Sequence, residues 1–130
     1  MANPNIVSVS SIYGESIGEA LTTTVGTDVL TVSANKLLKI NFIQITNTST
    51  TASTVVTVRV LKADFTSAGV ASGEDNAGTF ELASSVPVYV DGVLVVLDKP
   101  IYLMETDVLE AGANPATADI FISYEVLDDA

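Results

Sequence analysis

The chain of 130 residues contains no cysteine, no histidine and no tryptophan, and only five basic side chains. Without cysteine there is neither a disulfide nor a thiolate nucleophile, so folding does not depend on the redox compartment. Without histidine, Ser-His and Cys-His nucleophilic machinery is excluded, as are imidazole metal ligands and an imidazole acid or base. The absence of tryptophan removes the ring most used to stack sugars or bases. No GxxxxGK[ST] or GxGxxG stretch is present to cradle a phosphate. Lys36, Lys39, Arg59, Lys62 and Lys99 face sixteen carboxylates, and the net charge of −11 repels a phosphate backbone. Nucleic acid is therefore not expected as a partner. Nor is a membrane: apolar runs such as Val93 to Leu97 fall far short of the roughly 20 residues of a spanning helix. The opening MANPNIVSVS lacks the basic and apolar segments of an export signal, which implies synthesis in a cytoplasm.

What the chain has instead is a surplus of residues suited to a pleated sheet. Valine, isoleucine and threonine together number 42, and their branched side chains favour strands over helices. Period-two alternation locates the strands. Val56, Val58 and Val60 oppose Thr57 and Arg59; Ile120, Ile122, Tyr124 and Val126 oppose Asp119, Ser123 and Glu125. Between Leu37 and Ile45 the alternation changes phase, since Leu38, Ile40 and Phe42 share one parity while Ile43 and Ile45 take the other. A β-bulge near Phe42 reconciles the two halves.

Further strands are expected over Ile6 to Tyr13, Ile17 to Val25, Asp28 to Val32, Thr79 to Ala83, Ile101 to Met104 and Asp107 to Ala111, divided by Gly, Asn, Asp, Ser and Pro signals. In VPVYV-DG-VLVVL, Asp91-Gly92 predicts a two-residue hairpin turn between apolar arms. About ten short strands, no amphipathic helix and no repeat point to an all-β, antiparallel, jelly-roll-like β-sandwich forming one domain over 1–130. Residues 1–13 read as an edge strand or extended arm. Two polar stretches read as loops: Asn47 to Ser53, and a longer, flexible one over 64–78.

The remaining candidates for chemistry are carboxylates. Glu105 and Asp107 stand two apart and, on a strand, would share a face; paired carboxylates could serve glycoside hydrolysis, with one protonated in an apolar site and the other ionised. No aromatic platform accompanies them, and the expectation is a protein that is not an enzyme, with no catalytic residues. Glu74, Asp75 and Asn76 place oxygen ligands on a Gly-rich loop, but their spacing does not match a calcium-binding loop. A solvated turn is the expected reading, and no metal or other cofactor is implied. The formal sequon Asn47-Thr48-Ser49 reads as turn chemistry.

A hairpin closed by Asp91-Gly92 would align Val86, Val88 and Val90 with Leu97, Val95 and Val93 on one face. Pro87, Tyr89, Leu94 and Val96 would then fall on the other. Both faces are apolar, so the hairpin needs cover on both sides, from a loop, the N-terminal arm or another subunit. The candidate assembly surface therefore comprises Pro87, Tyr89, Leu94 and Val96, together with Ile6, Val7, Val9 and Tyr13 of the N-terminal arm.

Three stretches carry a family resemblance: MANPNIVSVSSIYGES, KINFIQITNTSTTASTVVTVRV and VLVVLDKPIYLMETDVLEAGANPATADIFISYEVLDD. Together they resemble the small virion structural proteins of tailed phages that infect marine cyanobacteria and related bacteria. Within IYLMETD the sequence departs by placing Thr106 where a turn glycine is expected, and 64–78 is longer than usual for such proteins. The resemblance implies a particle component, located in the virion after synthesis in the host cytoplasm. Its partners would be the major capsid protein or other virion proteins, and further copies of itself in a homo-oligomer. A capsid decoration or cement protein is the first expectation, a tail, neck or fibre-associated module the second. A carbohydrate-binding module for host-surface glycans is a third.

Overall fold

The computed structural model describes residues 10–63 and 77–128, and every regular element within them is a strand. In chain order these are β1 (Ser11–Ala20), β2 (Asp28–Thr31), β3 (Lys36–Asn47), β4 (Thr54–Lys62), β5 (Gly78–Val88), β6 (Val93–Leu97), β7 (Ile101–Leu103), β8 (Val108–Asn114) and β9 (Ala118–Asp128). All pairings are antiparallel. One sheet runs β1-β9-β3-β6, with β7 also beside β3; the other runs β2-β8-β4-β5. The inward faces of the two sheets meet in one core. Ile40, Ile43, Ile45, Ile120 and Ile122 from the first sheet join Val56, Val58, Leu109 and Ala111 from the second, and all of them are buried. The expected antiparallel β-sandwich is the observed fold.

The phase change in β3 is resolved as the alternation requires. Ile40 sits opposite Tyr124 and Phe42 opposite Ser123, leaving Asn41 as the extra residue of a bulge. Leu38 and Ile40 therefore point into the core before it, and Ile43 and Ile45 after it. Tyr124 is buried, as its parity implies.

Two expectations are corrected. The strands predicted over Ile6 to Tyr13 and Ile17 to Val25 are not separate where they can be followed. β1 continues through Gly14 and Gly18, with ten consecutive partners on β9. Glycine weakens a strand interior, but the ring of Phe121 covers Gly18, 3.3 Å from where a Cβ would stand. Beyond Leu21 the chain becomes a loop laid along β8, which accepts hydrogen bonds at Thr22 O from Ala113 N (2.8 Å) and at Thr27 O from Ala111 N (3.3 Å). Its backbone at Val25 crosses so close to Gly112 that a Cβ there would lie 2.8 Å away.

The second correction concerns Asp91-Gly92. A turn is present: Gly92 N donates to Tyr89 O at 2.8 Å, and Asp91 has φ +56°. Its arms do not pair with each other, however, because β5 adds to β4 in one sheet and β6 to β3 in the other. The turn is a corner between layers, not a hairpin. Glycine is required at 92 for space, since a Cβ would lie 2.8 Å from Tyr89 O.

Beside this corner Asn47 is buried. Its Nδ2 donates to Ala52 O (2.9 Å), Val88 O (3.0 Å) and Tyr89 O (3.2 Å), and its Oδ1 accepts from Ser49 N (3.0 Å) and Thr117 Oγ1 (3.1 Å). The polar stretch after β3 is thus a built turn. The side chain of the formal sequon is consumed by the fold.

The bulge generates a prediction. Deleting Asn41 shifts either Leu38 and Ile40 or Ile43 and Ile45 to the outer face, and the protein is expected to lose cooperative unfolding in urea. Asn41→Ala, which keeps the chain length, is expected to stay within about 1 kcal/mol of the parent.

Candidate assembly surface

The paired carboxylates do not form a catalytic pair on a strand. Glu105 lies in the turn between β7 and β8, and Asp107 at its end, on either side of Thr106, whose φ of +69° is the conformation a turn glycine would adopt freely. Asp107 is fully buried and accepts from Lys62 Nζ at 2.6 Å, Met104 N at 2.8 Å and Ala63 N at 3.3 Å. Two backbone N–H groups and the lysine engage its oxygens. The group is a clamp joining the end of β4 to the β7–β8 turn. Glu110, also buried, is held in the same way by Arg59 Nε at 2.8 Å.

Glu74, Asp75 and Asn76 lie outside the described residues. Among the described residues no group of three or more acidic side chains is placed to hold a metal ion. A cleft of ≈ 160 Å³ between β1 and β2 is lined by Tyr13, Glu15, Lys36 and Tyr124. Inside it Tyr124 Oη donates to Glu15 Oε2 at 2.8 Å, tying the edge strand to its neighbour. Burial, and then the bond to Glu15, push the Tyr124 hydroxyl up from 10.0 to about 12. Asp128, followed by Tyr13, raises Lys36 above the ordinary lysine value.

The predicted assembly residues are dispersed. Ile6, Val7 and Val9 lie outside the described residues. Tyr13 is 38% exposed, at the rim of the cleft. Pro87 is exposed beside Val55 on the outer side of the four-stranded sheet, and Tyr89, 71% exposed, sits in the corner turn. Leu94 and Val96 instead face inward and pack against the core. Because β5 and β6 belong to different sheets, the four residues expected on one hairpin face never share one. Their neighbours Val93 and Val95 take the outward positions, 54% and 49% exposed.

Those two valines belong to a surface that the hairpin reading missed. The register places Ala20, Asp119, Thr46 and Val93 in one row across the outer face of the five-stranded sheet. Gly18, Phe121, Gln44 and Val95 form the next. Ser16, Ser123 and Phe42 follow, then Gly14, Glu125, Lys39 and Tyr102. Phe121 is 49% exposed and Tyr102 48%. Phe121 was the available signal in the sequence: a large apolar residue on the side of β9 otherwise occupied by Asp119, Ser123 and Glu125.

The chain matches no protein-family model, no curated protein and no solved structure.

Two predictions come from the charged contacts. Asp107→Asn removes the cation's partner and is expected to cost about 2–4 kcal/mol in urea unfolding, less than a fully buried pair because Lys62 retains some contact with water. For Tyr124 the sign follows from its raised value. The unfolded chain releases the hydroxyl proton near pH 10, while the folded chain keeps it until about pH 12. Stability is therefore complete below pH 10 and falls as the pH rises through 12. Lys36 adds slope in the same direction. Thermal melts of Tyr124→Phe should show a shallower decline over that range than those of the parent.

Proposed function

We propose that this chain is a non-enzymatic structural protein of a phage virion, a capsid decoration or cement protein that binds the shell through apolar surface contacts. The observation that carries the reading is the outer face of the five-stranded sheet, where Phe121, Val93, Val95 and Tyr102 are exposed on regular strands. Contiguous exposed apolar surface on a rigid sheet is what association requires. The buried carboxylates Asp107 and Glu110 serve as ion-paired clamps, consistent with a protein that contributes contacts and not turnover. The resemblance of its opening, its DKPIYLMETDVL stretch and its SYEV ending to small virion proteins gives the setting. An acidic exterior suits a position outside the shell, away from packaged nucleic acid.

Strand order supports a finer reading of the fold. If β6 and β7 are taken as halves of one strand interrupted at Asp98-Lys99-Pro100, the two sheets read 1-8-3-6 and 2-7-4-5. That is the order of an eight-stranded jelly roll, a fold used in viral shells and lectins.

The test is to attach an affinity label to the protein and image intact particles. Label distributed over the icosahedral shell is the expected result. Label confined to one vertex or to the tail would assign it to the tail or neck instead, and its absence from purified particles would refute a virion role.

A further inference from the structure

Each exposed sheet edge among the described residues carries a feature that discourages strand addition. β5 is bulged twice, between Val56 and Arg59 of its partner, with Ser85 at φ +50°. β2 has four residues. The β6–β7 edge is broken by Asp98-Lys99-Pro100, and β1 carries Glu15 and Glu19 on its inward side, opposite Tyr124 and Ile120. With the edges so guarded, association falls to the sheet faces, and the outer face of the five-stranded sheet exposes Val93, Val95, Phe121 and Tyr102 on regular strands. Its net charge is also small. Of the total of −11, this face carries Asp119, Glu125 and Lys39, a sum of −1, and the last two are paired with each other at 3.5 Å. Two acidic copies can approach here with the least repulsion.

We propose that this face packs against the same face of a second copy, about a two-fold axis running along the strands between β3 and β9. The direction of the axis follows from side-chain charge and size. This axis lays β9 of one copy over β3 of the other, so Glu125 meets Lys39 of the second copy, and Asp119 meets Thr46. It also seats Val93 and Tyr102 on the low side of the face, where β1 presents Ala20 and Gly14, and sets Val95 against the Phe121 ring that covers Gly18. An in-plane axis perpendicular to the strands would instead bring Asp119 toward Glu125 of the same strand, a like-charge contact. At ordinary strand spacing and rise the four rows cover roughly 400 Å² in plan. That places the contact at the small end of interfaces, below about 1,200 Å² in total, where association is weak and reversible. The proposal rests on the reading of the chain as a protein of surface contacts, but not on which particle it joins; with this face paired, the exposed Val55, Phe80 and Tyr89 remain for contact with a shell.

Because the chain has no cysteine, single thiols report the geometry cleanly. Equimolar Ala20→Cys and Val93→Cys are expected to form a mixed disulfide under mild oxidation, in excess over homodisulfides of either variant alone. By sedimentation equilibrium the parent should show a dimer at high concentration, its fraction rising with sodium chloride as the net charge is screened. Val95→Asp should weaken that dimer roughly tenfold or more with an unchanged urea midpoint; Tyr102→Lys makes the same test if Val95→Asp does not fold. A parent that stays monomeric up to about 1 mM, or Ala20→Cys homodisulfides dominating over the mixed species, would overturn the proposal even if the protein binds phage shells. Conversely, a dimer with the mixed cross-link sustains it even if no particle is bound.

Discussion

The sandwich depends on β3 turning its side chains over once. This strand lies at the centre of the five-stranded sheet, with β9 on one side and β6 and β7 on the other. It must supply core residues along its whole length, yet a regular strand of twelve residues would keep a fixed parity. Asn41 breaks that parity. Four fully or nearly buried side chains, Leu38 and Ile40 on one side of it and Ile43 and Ile45 on the other, then reach the same core. Burial of each such side chain contributes roughly 1.5–3 kcal/mol, so a slip of one residue in half of β3 would forfeit more than most small domains can spare.

The second constraint is the cost of moving the chain between layers. Successive strands often change sheets, and the crossings leave backbone carbonyls near the rim of the core that must find donors. Asn47 meets three of them with one amide, at the corner where β5 gives way to β6. Asp107 solves the converse problem at the β7–β8 turn, accepting two backbone N–H groups and a lysine. In both places a buried polar group is tolerated because it is fully engaged. The polar residues of this core hold the corners; the valines and isoleucines hold the layers.

What could be read from the sequence follows from the range over which each signal acts. Alternation is local, so β4 and β9 and the bulge in β3 were all legible from neighbouring residues. Asp91-Gly92 also announced its turn, but a turn signal says only that the chain reverses. Which strand each arm then joins depends on residues as distant as Gln44 for β6 and Val55 for β5. The expected hairpin surface failed for that reason, and with it the grouping of Pro87 and Tyr89 with Leu94 and Val96. The break expected near Gly14 failed differently: a glycine reads as punctuation, but Gly14 is held in β1 by unbroken pairing with β9, where it sits opposite Glu125 more than a hundred positions along the chain. Phe121 itself was conspicuous on the polar side of β9. Its meaning emerged only when the register set it beside Gln44 and Val95.

Charge then separates the surfaces of the molecule. Sixteen carboxylates outnumber five basic residues, and four of those five are committed to ion pairs among the described residues. A protein of this composition is kept soluble by repulsion over most of its exterior and can tolerate close approach only where carboxylates are scarce. In the proposed dimer, negative charge acts as a filter on orientation: it disfavours encounters that bring unpaired carboxylates together. Salt relaxes the filter because screening shortens the reach of the surrounding carboxylates while leaving the apolar contact intact. In a particle with many copies, weak contacts of this kind accumulate, since each bound neighbour raises the local concentration of the next. For the proposed particle role, the modest area of the face is then no obstacle to assembly.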